Sequence, residues 1–179
     1  MGSKPLVSIG MPVYNGERFV RRALDSLLAQ DHENLELITS DNASEDRTQA
    51  ICLEYAARDN RVCCYRNAAN LGAVRNFNRV FELASGDYFM WASHHDLWDS
   101  AFVSTCLEVL RREPQVVLCY PLSHAIDWES RFLRSAPDLI DTRRLLPAER
   151  FRRVIRDMDW FIATYGLFRA DAVRRKMEA

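Results

Sequence analysis

Leu6-Val-Ser-Ile-Gly-Met-Pro-Val-Tyr-Asn-Gly-Glu17 opens the chain, and its reading decides the fold. Leu6 to Met11 is a short apolar, β-branched run stopped by Pro12, and Asn15-Gly16 marks a turn. Phe19, Val20, Ala23, Leu24, Leu27 and Leu28 then recur with the period of a helix. The unit is strand, turn, helix, and it repeats outward from there. Strands are predicted at 35–41, 62–65, 87–91 and 116–120, with helices at 46–57, 72–83 and 102–112 between them. Ser44, Asp46 and Arg47 resemble a helix cap ahead of the second helix. Such alternation predicts an α/β fold with right-handed crossovers and a mostly parallel sheet covered by helices on both faces. After Pro121 the pattern loosens: a hairpin is expected over 125–132, a helix over 147–158 and one more strand over 160–168. No repeat or linker divides the chain, so residues 1–179 are read as a single domain, with a regular half at 3–122 and a less regular one at 123–179.

A length of 179 residues, 48% of them hydrophobic, is enough for one well-buried core. Twenty-four Lys and Arg against 25 Asp and Glu give a net charge of -1, so there is no global basic field and a nucleic-acid partner is not expected. The charge is uneven: residues 1–130 hold 12 basic and 18 acidic side chains, and residues 131–179 hold 12 and 7. The basic clusters between 143 and 176 read either as solvated helix faces or as a surface for anionic lipid or a phosphorylated acceptor. No apolar run nears the roughly 20 residues that span a bilayer, and the first residues do not resemble an export leader. A cytoplasmic protein, with peripheral contact at the inner face of the membrane, is the expectation. Cys52, Cys63, Cys64, Cys106 and Cys119 are odd in number and form no CxxC pair, which suits buried, reduced thiols.

Ligands of open parallel sheets bind beyond the carboxyl ends of the strands. Those ends are here Pro12 to Asn15, Asp41 to Ser44, Asn67 to Gly72 and Ser93 to Asp96. There is no GxGxxG after the first strand and no GxxxxGK[ST], which sets aside dinucleotide-binding dehydrogenases and P-loop enzymes. The first loop offers instead the ring of Tyr14 and backbone groups where a base could lie, with Glu17 near a helix N-terminus. Asp41 can accept a hydrogen bond from the imide N–H of uracil or thymine or from guanine N–H groups, or it can cap a helix. As a strand-end residue it is expected to carry little packing, so Asp41→Ala should remove nucleotide binding and leave the fold intact.

VSIGMPVYNGE, SLLAQ, LELITSDNASEDRT, NLGAVRNFN, ASGDY and HHDLWDSAF, in this order, resemble the family 2 glycosyltransferases of the GT-A, Rossmann-like fold. The likeness is close over 6–112 and continues weakly to YGLFRADAV at 165–173. It implies a nucleotide-sugar-binding half at 3–122 and part of an acceptor half at 123–179. Carried over by position, Pro12, Tyr14 and Glu17 match the first nucleotide-binding segment and Asp41 the base reader. Asn70, Gly72 and Arg75 match the segment after the third strand, where the Arg approaches the phosphates; its bland alternative is a helix-surface ion pair. Asp96 matches the last carboxylate of the DXD motif, which holds Mg²⁺ or Mn²⁺ against the donor diphosphate. His95 stands where that motif has its central Asp, which favours Mn²⁺ or weakens the site, and His94 is read as a pocket wall.

The implied activity is inverting transfer of a sugar, from a UDP- or dTDP-linked donor, to a polysaccharide or glycoconjugate acceptor that is saccharide or lipid-linked. An open alternative is a non-catalytic nucleotide-sugar binding module or an inactive fragment. The general base that inversion requires lies in the acceptor half of the family, and only 83 residues follow Asp96, so no catalytic residue is assigned. Asp157 and Asp159 are the nearest carboxylates.

Overall fold

The computed structural model describes residues 4–135, 140–157 and 161–177. Its elements are β1 (Val7–Val13), α1 (Val20–Leu28), β2 (Leu35–Asp41), α2 (Thr48–Arg58), β3 (Val62–Arg66), α3 (Ala73–Glu82), β4 (Tyr88–Trp91) and α4 (Phe102–Arg112). There follow β5 (Leu118–Cys119), β6 (His124–Ile126), β7 (Phe132–Ser135), α5 (Pro147–Asp157), β8 (Leu167–Arg169) and α6 (Ala170–Met177). Six strands form one sheet in the order β3-β2-β1-β4-β8-β5. β1 lies parallel to β2 and β4, and β2 parallel to β3, as the strand-helix alternation requires.

Residue alternation along the strands divides the core between the two faces. On one face Val7, Ile9, Met11 and Val13 of β1 meet Leu24 and Leu27 of α1, Ile51 of α2 and Leu107 and Leu110 of α4. On the other, Ile38 and Phe89 pack under Val80 and Phe81 of α3 and Ala170 of α6. There the Phe89 ring is 4.8 Å from Phe81 and 4.8 Å from Trp91, both edge-to-face, and Trp91 is 5.6 Å from Phe168. Helices therefore cover both faces, as expected.

The later residues depart from expectation. Of the strand foreseen over 160–168, Phe161–Tyr165 is a 3-10 helix and only Leu167–Arg169 is extended. This short β8 runs antiparallel to both β4 and β5 and lies between them, so β5 keeps the common strand direction without touching β4. Tertiary contacts hold it there: Phe168 reaches Trp91, and the Arg169 Nε–H donates to the Val116 carbonyl at 2.9 Å. The hairpin is present as β6 and β7, its turn set by Asp127 accepting from the Glu129 and Arg131 N–H groups, each at 2.9 Å. Met158, Asp159 and Trp160 lie outside the described residues.

Candidate active site

The carboxyl ends of β1, β2 and β3 are tied together by side chains that accept from backbone N–H groups across the loops. Asn15 takes a positive φ of 48°, and its N–H donates to Ser44 Oγ at 2.9 Å, while the Gly16 N–H donates to Thr48 Oγ1 at 2.7 Å. The Glu17 N–H donates to Asp46 at 3.0 Å, and the Glu17 carboxylate in turn accepts from the Arg47 N–H at 2.9 Å. Glu17 thus braces the first loop against the start of α2. Asp46 also accepts from the Thr48 N–H at 2.9 Å. Burial opposes its ionisation, but the bonds from Thr48 and Glu17 outweigh that and hold it below the ordinary aspartate range. Pro12 is buried within β1, and Tyr14 beside it is 42% exposed at the rim.

Asp41 ends β2 and is 0% exposed. Its Oδ1 accepts from the Ser44 N–H at 3.0 Å, and its Oδ2 forms an ion pair with Arg66 Nη1. Arg66 sits directly opposite Asp41 in the parallel register of β2 and β3, so both side chains leave the same face of the sheet. Its Nη2 donates to the Ser44 carbonyl at 3.0 Å. The expectation that Asp41 carries little packing is therefore corrected: it is buried, charged and bonded on both oxygens.

Behind this pair lies a set of asparagines. Asn42 accepts from Asn67 Nδ2 at 2.9 Å and from the Leu71 N–H at 2.9 Å, and it donates to Asn70 Oδ1 at 2.8 Å. Asn76 links Asn67 to Ser40 through bonds of 2.9 and 2.7 Å. Asn67 Oδ1 is buried and receives no hydrogen bond among the described residues. Asn70 is exposed and accepts from the Gly72 N–H at 2.8 Å, and Gly72, at φ 80°, turns the chain into α3. Arg75 stands exposed on the first turn of α3, with no ion pair among the described residues.

His94, His95 and Asp96 follow β4. A side chain on Gly16 would come within 2.7 Å of His94 Cδ2, so His94 is packed against the first loop. Burial, then the neighbouring His95, lowers its affinity for a proton. The rings of His94 and His95 are 4.9 Å apart and nearly perpendicular. Burial raises the Asp96 carboxyl above the usual range, with His95 acting against it. Tyr165, the first residue of YGLFRADAV, is a further neighbour: burial, then the charge of Asp96, raises its hydroxyl above the usual range. No group of three or more His, Cys, Asp or Glu side chains among the described residues could enclose an ion. Of the two side chains that the sequence singles out for a metal, Asp96 is half-buried and His95 exposed; a carboxylate and an imidazole are two donors, fewer than a closed set needs. Asp157 is turned to Arg153 and Arg156, at 2.5 and 2.6 Å. Arg66 is a residue at this end of the sheet that sequence reasoning misses; Asn42, Asn67 and Asn76 lie in stretches it marks, but their mutual hydrogen bonds are beyond it. Arg66 becomes visible only once the strand register sets it beside Asp41.

A model of glycosyl transferase family 2 matches residues 8–175. An uncharacterized glycosyltransferase of Rickettsia typhi is 35% identical over 130 residues, which are 72% of this chain and 40% of the relative. One from Rickettsia bellii is 34% identical over 132 residues, 72% of this chain and 19% of that protein. The chain thus spans less than half the length of these relatives. Among solved structures, Staphylococcus aureus TarS 1-349 with UDP-GlcNAc has a TM-score of 0.76 at 17% identity, covering 96% of this chain and 47% of that 1-349 chain. The mannosyltransferase PcManGT of Pyrobaculum calidifontis, with GDP-Man and Mn²⁺, has a TM-score of 0.69 at 17% identity, covering 97% and 47%. At such identities the structural likeness is one of fold.

Proposed function

The chain belongs to glycosyl transferase family 2, and on that premise we propose that it binds a nucleoside-diphosphate sugar at the carboxyl ends of β1 to β4 and passes the sugar, with inversion, to a saccharide or lipid-linked acceptor. The observation that carries the reading is topological: β1 to β4 are parallel neighbours in the order β3-β2-β1-β4, and Tyr14, Asp41, Arg75 and Asp96 stand at or just beyond their carboxyl ends, with Tyr14 and Arg75 exposed, Asp96 half-buried and Asp41 buried and ion-paired. Tyr14 and Pro12 give the base a ring and a wall, and Asp41 gives its N–H an acceptor, which suits UDP or dTDP. Arg75 and the N-terminus of α3, opened by Gly72 and Asn70, favour the charge that grows on the leaving diphosphate. A divalent cation, when bound, supplies Lewis-acid neutralisation of that charge. Asp96 and His95 are the side chains that would hold it. TarS with UDP-GlcNAc and PcManGT with GDP-Man and Mn²⁺ support both parts of this reading.

In this reading residues 3–122 form the donor half, and 123–179 contribute part of the acceptor half. No residue is given the role of general base. The basic stretch 143–176 suits contact with the cytoplasmic face of a membrane, where a lipid-linked acceptor is held; no helix among the described residues is long and apolar enough to cross one.

Thermal unfolding with UDP, dTDP, GDP and CMP, each with and without Mn²⁺, tests the reading. A ligand at 100 times its Kd adds about 2.7 kcal/mol, a rise of about 5–10 °C for a chain of this size. The expected result is a rise with UDP or dTDP that needs Mn²⁺. A rise indifferent to metal favours a binding module without transfer, and no rise with any nucleotide overturns the donor site.

A further inference from the structure

We infer that Arg66 is a specificity-determining residue of the donor site, reading with Asp41 the edge of the base on which an N–H lies beside a carbonyl. The inference rests on the donor-site reading above and adds a residue and a selection rule to it. Asp41 and Arg66 are register partners on β2 and β3, joined by an ion pair and directed to the same face at the carboxyl ends of their strands. A carboxylate is an acceptor only and a guanidinium a donor only. Side by side they make an acceptor-donor pattern, the complement of the N3–H and O4 of uracil or thymine. Cytosine presents an unprotonated N3 and an amino group at the same positions, so it meets each partner with the wrong sign.

Both groups have capacity to spare. Two donors, the Ser44 N–H and Arg66 Nη1, occupy Asp41, whose two oxygens can accept about four. Among the described residues Arg66 donates to Asp41 and to the Ser44 carbonyl, out of the five N–H bonds of its fork, and its side chain is 36% exposed. Asp41 itself is closed to solvent, so a base reaches it only as the guanidinium shifts. That shift is chemically neutral in kind. Nη1 stays on Asp41, and Nη2 exchanges the carbonyl of Ser44 for the carbonyl of the base, one N–H···O=C bond for another. A site whose buried polar groups are left unpaired by the wrong ligand discriminates strongly, whereas an apolar slot does not.

The test is titration of the whole chain with UDP and CDP, in the presence of Mn²⁺, for the wild type, Arg66→Met and Arg66→Lys. Wild type should bind UDP at least tenfold more tightly than CDP. Arg66→Met should lose about tenfold or more for UDP and little for CDP, which removes the preference. Arg66→Lys keeps the ion pair with Asp41 and melts with the wild type, yet it lacks the fork, so its preference should fall as well. This second variant guards against a misfolded Met variant. If both variants keep the UDP preference, or lose UDP and CDP affinity equally, Arg66 only supports Asp41 and the inference is overturned. Tighter UDP binding by Arg66→Met overturns it too, since Arg66 would then be a cover. A wild type that binds UDP without preferring it sinks this inference alone, and one that binds neither nucleotide sinks the donor-site reading with it.

Discussion

Asp41 ends a strand without a single exposed atom, and its neighbours explain what it costs to remove. In Asp41→Ala the Ser44 N–H loses its acceptor in a buried place, and Arg66 loses its counter-charge while half in water. An unsatisfied buried donor costs about 1–3 kcal/mol, so the variant should lose about 2 kcal/mol, or about 6 °C in Tm, together with UDP binding. Differential scanning of the variant with and without UDP checks both halves. An unchanged Tm would mean that the loop re-pairs, and retained UDP binding would remove Asp41 from the base site. The residue type and position were legible in the sequence, because a carboxylate at a strand end in this order of motifs has few other uses. Its ion pair was not. Asp41 and Arg66 lie 25 positions apart, and only the pairing of two strands brings them together.

Among the elements, β4 bears the most on one side chain. Phe89 is fully buried between Phe81, Trp91 and the apolar side of α3. Phe89→Ala should therefore cost about 4 kcal/mol, or about 10 °C in Tm, since the rings around it cannot close on the space without losing their edge-to-face contacts. Chemical denaturation that shows a loss below 1 kcal/mol would mean that α3 collapses onto the strand. The order and kind of the elements up to α4 could be read from residue period alone, because each strand is followed by a helix long enough to show its face. The end of the chain could not. Leu167–Arg169 is too short to carry a period, and what makes it a strand is Trp91 and Val116 from distant parts of the sequence.

Across the molecule, charge is divided: residues 131–179 carry 12 basic and 7 acidic side chains, against an acidic excess before them. α5 gathers part of this charge. Phe151 and Ile155, one turn apart, are 69% and 70% exposed on one side, and Arg152 and Arg156 occupy another. A short basic amphipathic helix of this kind lies on anionic bilayers, gaining about 1 kcal/mol for each arginine near the surface. The chain should sediment with phosphatidylglycerol vesicles and not with phosphatidylcholine ones, less so in high salt, and less after Phe151→Asp with Ile155→Asp. Equal recovery from both lipids, or no effect of the pair of substitutions, would exclude this face as the contact. The placement of β8 bears also on how the molecule is made. Tyr88 and its partner Arg169 are 81 residues apart, so a ribosome adding about 5–20 residues per second completes β4 roughly 4–16 s before the strand that covers its edge exists. Throughout that interval a nascent chain shows an unpaired strand and a Trp91 that lacks the cover of Phe168, the moment at which a chaperone has most to hold and aggregation most to gain.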